Sequence, residues 1–181
     1  MSNNISTCRP CHISSNGIRI ALSVLCISLG SVAMSAGDVR LGVQAALAFP
    51  VGDLGDGANP GVQGGGHAAW DLGEGHGIMG RADLTLYSKK NDTNITAFGV
   101  AGDYTYHFNR NQTGPYVLAG ISYTNFNPSA VGSHGSDSGF GLDMGGGYEL
   151  DRHLGLQARL TTNSADHGTM TSLNLGVTYR F

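Results

Sequence analysis

Apolar and polar side chains alternate along most of this chain from residue 38 onward, the period expected of β-strands with two different faces. Segment 171–181 shows it most clearly, with Leu173, Leu175, Val177, Tyr179 and Phe181 at the odd positions and Ser, Asn, Gly, Thr and Arg between them. A strand of this kind has one apolar and one polar face. The pattern predicts an all-β protein.

Eight such segments follow one another: 39–49, 61–72, 78–88, 95–108, 115–126, 139–150, 154–162 and 171–181. Their lengths suit tilted strands that cross a lipid bilayer. One of them, 115–126, is apolar on both faces, so its register stays open. We expect long connections at 50–60, 88–94, 126–138 and 162–169, and short turns at 73–77, 109–114 and 151–153. The sequence thus predicts a closed, antiparallel, up-and-down barrel of eight transmembrane strands, with its ends and short turns in the periplasm.

The polar faces contain large ionisable side chains, which a small barrel can enclose as paired charges. The predicted interior charge network consists of Arg40, Arg81, Asp83, Asp103, Asp143, Glu149, Arg159 and Arg180. Because side chains just fill an eight-stranded barrel, we expect no open pore. The apolar faces would then contact lipid.

Aromatic residues group near the two ends of the predicted strands, as in the girdles of membrane barrels. Those assigned to the short-turn end are Trp70, Tyr104, Tyr106, Phe108, Tyr116, Tyr148, Tyr179 and Phe181; those assigned to the long-loop end are Phe49, Tyr87, Phe98, Tyr123, Phe126 and Phe140. The alternative to a membrane barrel is a soluble periplasmic barrel that has its apolar face inside and binds a small apolar ligand.

The N-terminus predicts export. Residues 1–19 contain Arg9 and Arg19 and no acid, residues 20–34 are almost wholly apolar, and small residues follow at 35–36. This is the pattern of a cleaved signal peptide, placed here at 1–35, with the barrel domain at 36–181. All three cysteines lie in the removed segment, and the mature chain has a charge of 8 − 13 = −5. This charge gives no support to a nucleic-acid partner.

Three stretches resemble the OmpA/OmpX-like superfamily of small outer-membrane β-barrels: GPYVLAGISY at 114–123, GFGLDMGGGYELDRHLGLQARL at 139–160 and LNLGVTYRF at 173–181. The resemblance implies location in the outer membrane of a Gram-negative-type bacterium, among its lipids and lipopolysaccharide. It also implies that Leu175, Val177, Tyr179 and Phe181 form the signal read by the outer-membrane assembly machinery. Its motifs specify architecture and no activity.

Catalysis is the second hypothesis for function. Some barrels of this size modify lipid A, and His134 and Ser136 in a predicted long loop could form a base and nucleophile pair. The same residue types are common in exposed loops, so we predict a non-enzymatic, monomeric barrel with a structural or surface-interaction role, whose long loops are free to contact a ligand. The histidines lack metal-ligand spacing, and we expect neither a metal nor another cofactor.

Overall fold

The computed structural model describes residues 39–89, 94–129, 136–165 and 168–181. Within these residues, eight antiparallel strands form a closed barrel in which each strand pairs with its neighbours in sequence and β1 pairs with β8. The strands are β1 (Val39–Val51), β2 (Asn59–Gly73), β3 (His76–Ser88), β4 (Asn94–His107), β5 (Gly114–Ser129), β6 (Asp137–Glu149), β7 (Leu154–Ala165) and β8 (Gly168–Arg180). A short helix, α1 (Asp53–Gly57), follows β1.

The eight strands predicted from the alternating pattern are all present, which confirms the predicted fold. The structure also settles the register of β5. Tyr116, Leu118 and Phe126 are buried inside the barrel, whereas Val117 and Ile121 face outward. The apolar residues on its inner face explain why the sequence pattern of this strand was ambiguous.

The connections at the predicted long-loop end are shorter than expected, because the strands continue into them. β7 and β8 pair as far as Ala165 and Gly168, so the predicted loop at 162–169 is wrong, and residues 166–167 alone join these strands. At the other end, residues 74–75, 108–113 and 150–153 form the connections. Loop length therefore separates the two ends less clearly than the sequence indicated.

Two connections at the short-turn end have well-defined local chemistry. Glu74 and Gly75 join β2 to β3 with positive φ angles of 54° and 88°. Positive φ at both positions is typical of the tight type I′ turn, whose twist matches that of the two strands of a hairpin. Asp151 stabilises the turn before β7 by accepting hydrogen bonds from the backbone N–H groups of Leu154 at 2.8 Å and His153 at 2.7 Å. These two bonds lower the pKa of the exposed Asp151 carboxyl.

The barrel has its apolar residues outside and its polar residues inside. On β3, Arg81 and Asp83 are almost fully buried, whereas Ile78, Leu84 and Leu86 are about half exposed. A soluble barrel would bury its apolar face instead. The arrangement fits a barrel surrounded by lipid. No helix among the described residues has the length and apolar character needed to span a membrane.

The predicted signal peptide at 1–35 lies outside the described residues. Residues 37–181 form one compact unit.

Candidate functional site

Arg81 on β3 is the hub of an ion-pair cluster that fills the middle of the barrel. Its guanidinium contacts carboxylates from three strands: Asp83 on β3, Asp103 on β4 at 2.7 Å and Asp143 on β6. All four side chains are nearly inaccessible to solvent. A single planar guanidinium can serve three carboxylates because its donors point in different directions in one plane.

A second buried arginine, Arg159 on β7, completes what we call the central cluster: Arg81, Arg159, Asp83, Asp103 and Asp143. Arg159 lies 3.3 Å from Asp83. It also donates to the side-chain oxygens of Gln63 at 2.9 Å and Gln157 at 3.2 Å.

Neutral side chains also donate hydrogen bonds to the carboxylates of this cluster. Gln44 donates to Asp83, and the Thr161 hydroxyl donates to Asp143 at 2.5 Å. The sequence prediction of the interior network, which was based on charged residues, did not include Gln44, Gln63, Gln157 or Thr161. Their position on the same strand faces as the charged residues was the available signal.

A separate ion pair lies nearer the short-turn end. Arg180 on β8 donates to Glu149 on β6 at 2.5 Å, and both residues are buried. Arg40 was predicted to belong to the same interior network. It is only half-buried, and it has no ion pair among those seen in the described part of the chain. The structure therefore places the predicted residues in two clusters, with Arg40 at the edge.

Glycines make room for the buried charges. A Cβ atom on Gly120 of β5 would clash with a carboxylate oxygen of Asp103 and with the Gly102 carbonyl. A Cβ atom on Gly65 of β2 would likewise clash with Asp83. By contrast, a Cβ atom on Gly102 would meet no atom within 4 Å. The interior positions therefore require glycine sterically.

Above the central cluster, toward the α1 end, the interior contains a small polar cavity. Its volume is about 30 Å³, enough for roughly two water molecules. The polar residues around it are Gln63, Arg81, Asp83, Thr85, Ser122, Thr124, Thr161, Asn163, Ser172 and Asn174.

An apolar layer covers this cavity at the α1 end of the barrel. We call it the apolar lid; its buried members are Ala48, Leu54, Ala58, Tyr87, Ala97 and Phe126, with Ile95 and Met170 packed against them. Leu54 belongs to α1 and is only 2% exposed. The Asp53 carboxylate accepts a hydrogen bond from the Thr169 backbone at 3.3 Å, which ties α1 to β8.

The lid corrects part of the predicted aromatic girdles. Tyr87 and Phe126 point into the barrel, and so does Tyr116 at the other end, where it packs with Met79 and Leu118. Sequence spacing placed these three rings near strand ends correctly but assigned them to the wrong surface.

Other aromatic residues do lie on the outer surface. Tyr104, Phe108, Tyr148, Tyr179 and Phe181 are exposed at the short-turn end. Tyr179 and Phe181 make an edge contact with ring centroids 5.7 Å apart. At the other end, the rings of Tyr123 and Phe140 are 5.1 Å apart.

The remaining predicted site residues are the four of the assembly signal on β8 and the pair His134 and Ser136. Leu175, Val177, Tyr179 and Phe181 share the outer face, each with 43% or more of its surface exposed. Ser136 is exposed in the connection before β6, whereas His134 lies outside the described residues. The described residues contain no group of three or more His, Cys, Asp or Glu side chains arranged to hold a metal ion.

Comparison with known proteins agrees with this inverted barrel. Residues 20–181 match the family model of the outer membrane protein beta-barrel domain. The chain belongs to this family. It is an integral outer-membrane β-barrel protein of the Gram-negative type, and its resemblance to small outer-membrane barrels is confirmed.

Solved structures show the same fold at low sequence identity. Ail, the attachment invasion locus protein of Yersinia pestis, is 15% identical with a TM-score of 0.57, and the match covers 81% of this chain and 99% of Ail. Neisserial surface protein A is 20% identical with a TM-score of 0.57, with 82% and 100% covered. The N-terminal barrel of Pseudomonas aeruginosa OprF is 18% identical with a TM-score of 0.54, with 78% and 97% covered. No curated protein sequence gave a match.

Proposed function

We propose that this outer-membrane protein is a closed, non-enzymatic barrel that supports surface contacts through its loops and provides no pore. The observation that carries this proposal is the filled interior. The central cluster blocks the barrel at mid-height, and the apolar lid covers the cavity above it. A barrel filled in this way leaves the connections between its strands as the part free to engage a partner.

Conductance in planar lipid bilayers tests the closed interior. Purified protein inserted into a bilayer should produce no more stable current steps than a control in which detergent without protein is added. Leu54→Ala is a useful matched variant, since it thins the lid but leaves the central cluster intact. It should also fail to conduct. Regular current steps from the wild-type protein would overturn the proposal.

The absence of enzymatic activity needs its own test. The competing hypothesis is lipid A modification through His134 and Ser136. Cells with and without the protein should have the same lipid A acylation profile by mass spectrometry. A change that a Ser136→Ala variant abolishes would establish the enzyme instead.

We place α1, and the other connections at the same end of the barrel, on the outer surface of the cell. The short turns, the start of β1 and the end of β8 then lie in the periplasm. This orientation follows the usual layout of outer-membrane barrels. In the same layout, residues 1–35 act as a cleaved signal, and Leu175, Val177, Tyr179 and Phe181 act as the assembly signal. An epitope tag inserted at 89–93 should be detected on intact cells, and one inserted at 108–113 should not.

The charge of the proposed outer end indicates which ligands it favours. The strand ends and connections there contain Asp53, Asp56, Asp92, Asp137 and Asp166 against Lys89 and Lys90, a net charge of 2 − 5 = −3. A similar barrel, Ail, has been solved in complex with the heparin analogue sucrose octasulfate. Because like charges repel, we expect the present surface to bind such sulfated ligands poorly.

A binding assay with immobilised heparin checks this expectation. Whole protein in detergent should show no retention at physiological salt. Salt-sensitive retention that a Lys89→Glu variant abolishes would show that the lysines outweigh the acids and would refute the charge argument.

A further inference from the structure

The central cluster contains one negative charge more than its arginines can balance. Arg81 and Arg159 contribute +2, while Asp83, Asp103 and Asp143 contribute −3 when ionised, so the sum is −1. The remaining buried pair, Arg180 with Glu149, is already neutral. An unbalanced charge is costly in a site removed from water. The cluster therefore favours binding one more positive charge.

The three carboxylates differ in how well the protein solvates them. Asp83 accepts from Arg81, Arg159 and Gln44, and Asp143 accepts from Arg81 and Thr161. Among the described residues, Asp103 accepts a hydrogen bond only from Arg81 Nε, through Oδ2.

The second oxygen of Asp103 receives no hydrogen bond from the described protein atoms. It lies against the backbone of Gly120, and the residue is only 1% exposed. The polar cavity above the cluster is bordered by Arg81 and Asp83 and not by Asp103, so that cavity does not bring water to this oxygen. Asp103 is thus the carboxylate for which a negative charge is least stabilised.

The side chain of His67 on β2 is the alternative carrier of the positive charge. It is buried, and neither ring nitrogen has a hydrogen-bond partner among the described residues. An imidazolium would need acceptors for both N–H groups. Both a cation and an acid act on it: the Arg180 guanidinium repels a charged imidazole, and Asp83 attracts one.

We propose that Asp103 is a buried proton-binding site, in which the carboxylic acid carries its proton on Oδ1 and makes the central cluster electrically neutral. The charged groups around it are those of the central cluster: Arg81 and Asp83 from β3, Asp143 from β6 and Arg159 from β7. The interior is then an ion-pair network that includes one neutral acid.

Asparagine substitutions separate this proposal from a fully ionised network. Asp103→Asn replaces a protonated carboxyl with a neutral group of the same shape, so its urea midpoint in detergent should equal that of the wild type. Asp143→Asn is the matched control. It removes a well-solvated charge, and at a fixed urea concentration its ratio of unfolded to folded protein should rise at least about tenfold.

Infrared spectroscopy of the folded wild-type protein at neutral pH provides a second measurement that needs no variant. With 13C-labelled aspartate, the C=O stretch of a protonated carboxylic acid should be present and should shift with the label. It should disappear in Asp103→Asn and persist in His67→Gln.

Each contrary result identifies a different error. Absence of the protonated band in the wild type overturns the proposal, and sodium- or potassium-dependent stability would then point to a bound metal cation. Equal destabilisation by Asp103→Asn and Asp143→Asn also overturns it, because Asp103 would then be ionised.

Discussion

Replacement of Arg81 by methionine is the most informative perturbation of the barrel interior. Methionine keeps the unbranched, apolar part of the side chain but removes the guanidinium and its contacts to Asp83, Asp103 and Asp143. Asp83 would retain Arg159 and Gln44 as donors, and Asp143 would retain Thr161. The variant leaves buried acids without their shared cation.

The expected magnitude follows from these contacts. Removal of one partner from a buried ion pair costs about 3–5 kcal/mol. Since folded domains are stable by only about 5–15 kcal/mol, Arg81→Met should lose at least about 3 kcal/mol and a large share of the total. A second substitution, Asp143→Asn, should recover part of this loss by removing one unpaired acid.

The sole tryptophan gives a convenient assay. Trp70 packs over Gly80, with ring carbon Cζ3 3.6 Å from the position of a Cβ atom there, so its fluorescence should change when the barrel unfolds in urea. Arg152→Met is the control, because Arg152 lies in an exposed turn and its substitution should change the free energy of unfolding by less than about 0.5 kcal/mol. An Arg81→Met protein within about 1 kcal/mol of the wild type would refute the structural role assigned to the cluster.

Three further predictions test other parts of the structure, each by substitution. Val100→Arg, on the outer face of β4, should lower stability in lipid vesicles by about 2–4 kcal/mol, whereas Asn94→Arg near the end of that strand should cost about 0–1 kcal/mol; equal costs would argue against lipid contact. Gly120→Ala should lower the urea midpoint by creating a clash worth about 1–3 kcal/mol, and Gly102→Ala, which meets no atom within 4 Å, should not. Because the pKa of Asp151 is lowered, its ionised carboxylate stabilises the turn fully at pH values above the ordinary carboxyl pKa. This stabilisation is lost as the pH falls through the lowered pKa. Amide hydrogen exchange in the turn should accordingly show less protection in acid, and Asp151→Asn should remove the pH dependence; unchanged exchange would contradict this.

The strands of this barrel could be predicted because lipid and a polar interior impose opposite requirements on neighbouring residues. Arg81 and Leu84 on β3 illustrate this, since one is buried and the other is 48% exposed. For the ion pairs, the sequence predicted which charged residues lie inside the barrel but not which of them contact each other. Which strands bring Arg81 against Asp143 depends on barrel closure and shear, which local sequence does not encode.

Three features escaped prediction for physical reasons. Near the ends of β7 and β8, polar residues such as Thr162 and Thr171 face outward and are half-buried, so these strand ends resemble loops in sequence. Tyr87 and Phe126 look like girdle residues, but they belong to the apolar lid. Helix α1 is only five residues long, too short for a periodic pattern, and its buried Leu54 becomes apparent only from the lid.

The most direct test of the central claim is outer-membrane fractionation followed by gel electrophoresis with and without heating. A closed lipid-embedded barrel should be recovered in the outer-membrane fraction and should migrate differently before and after boiling in detergent, because the unheated barrel stays folded. Recovery in the soluble periplasmic fraction, with one mobility at both temperatures, would contradict the membrane-barrel account.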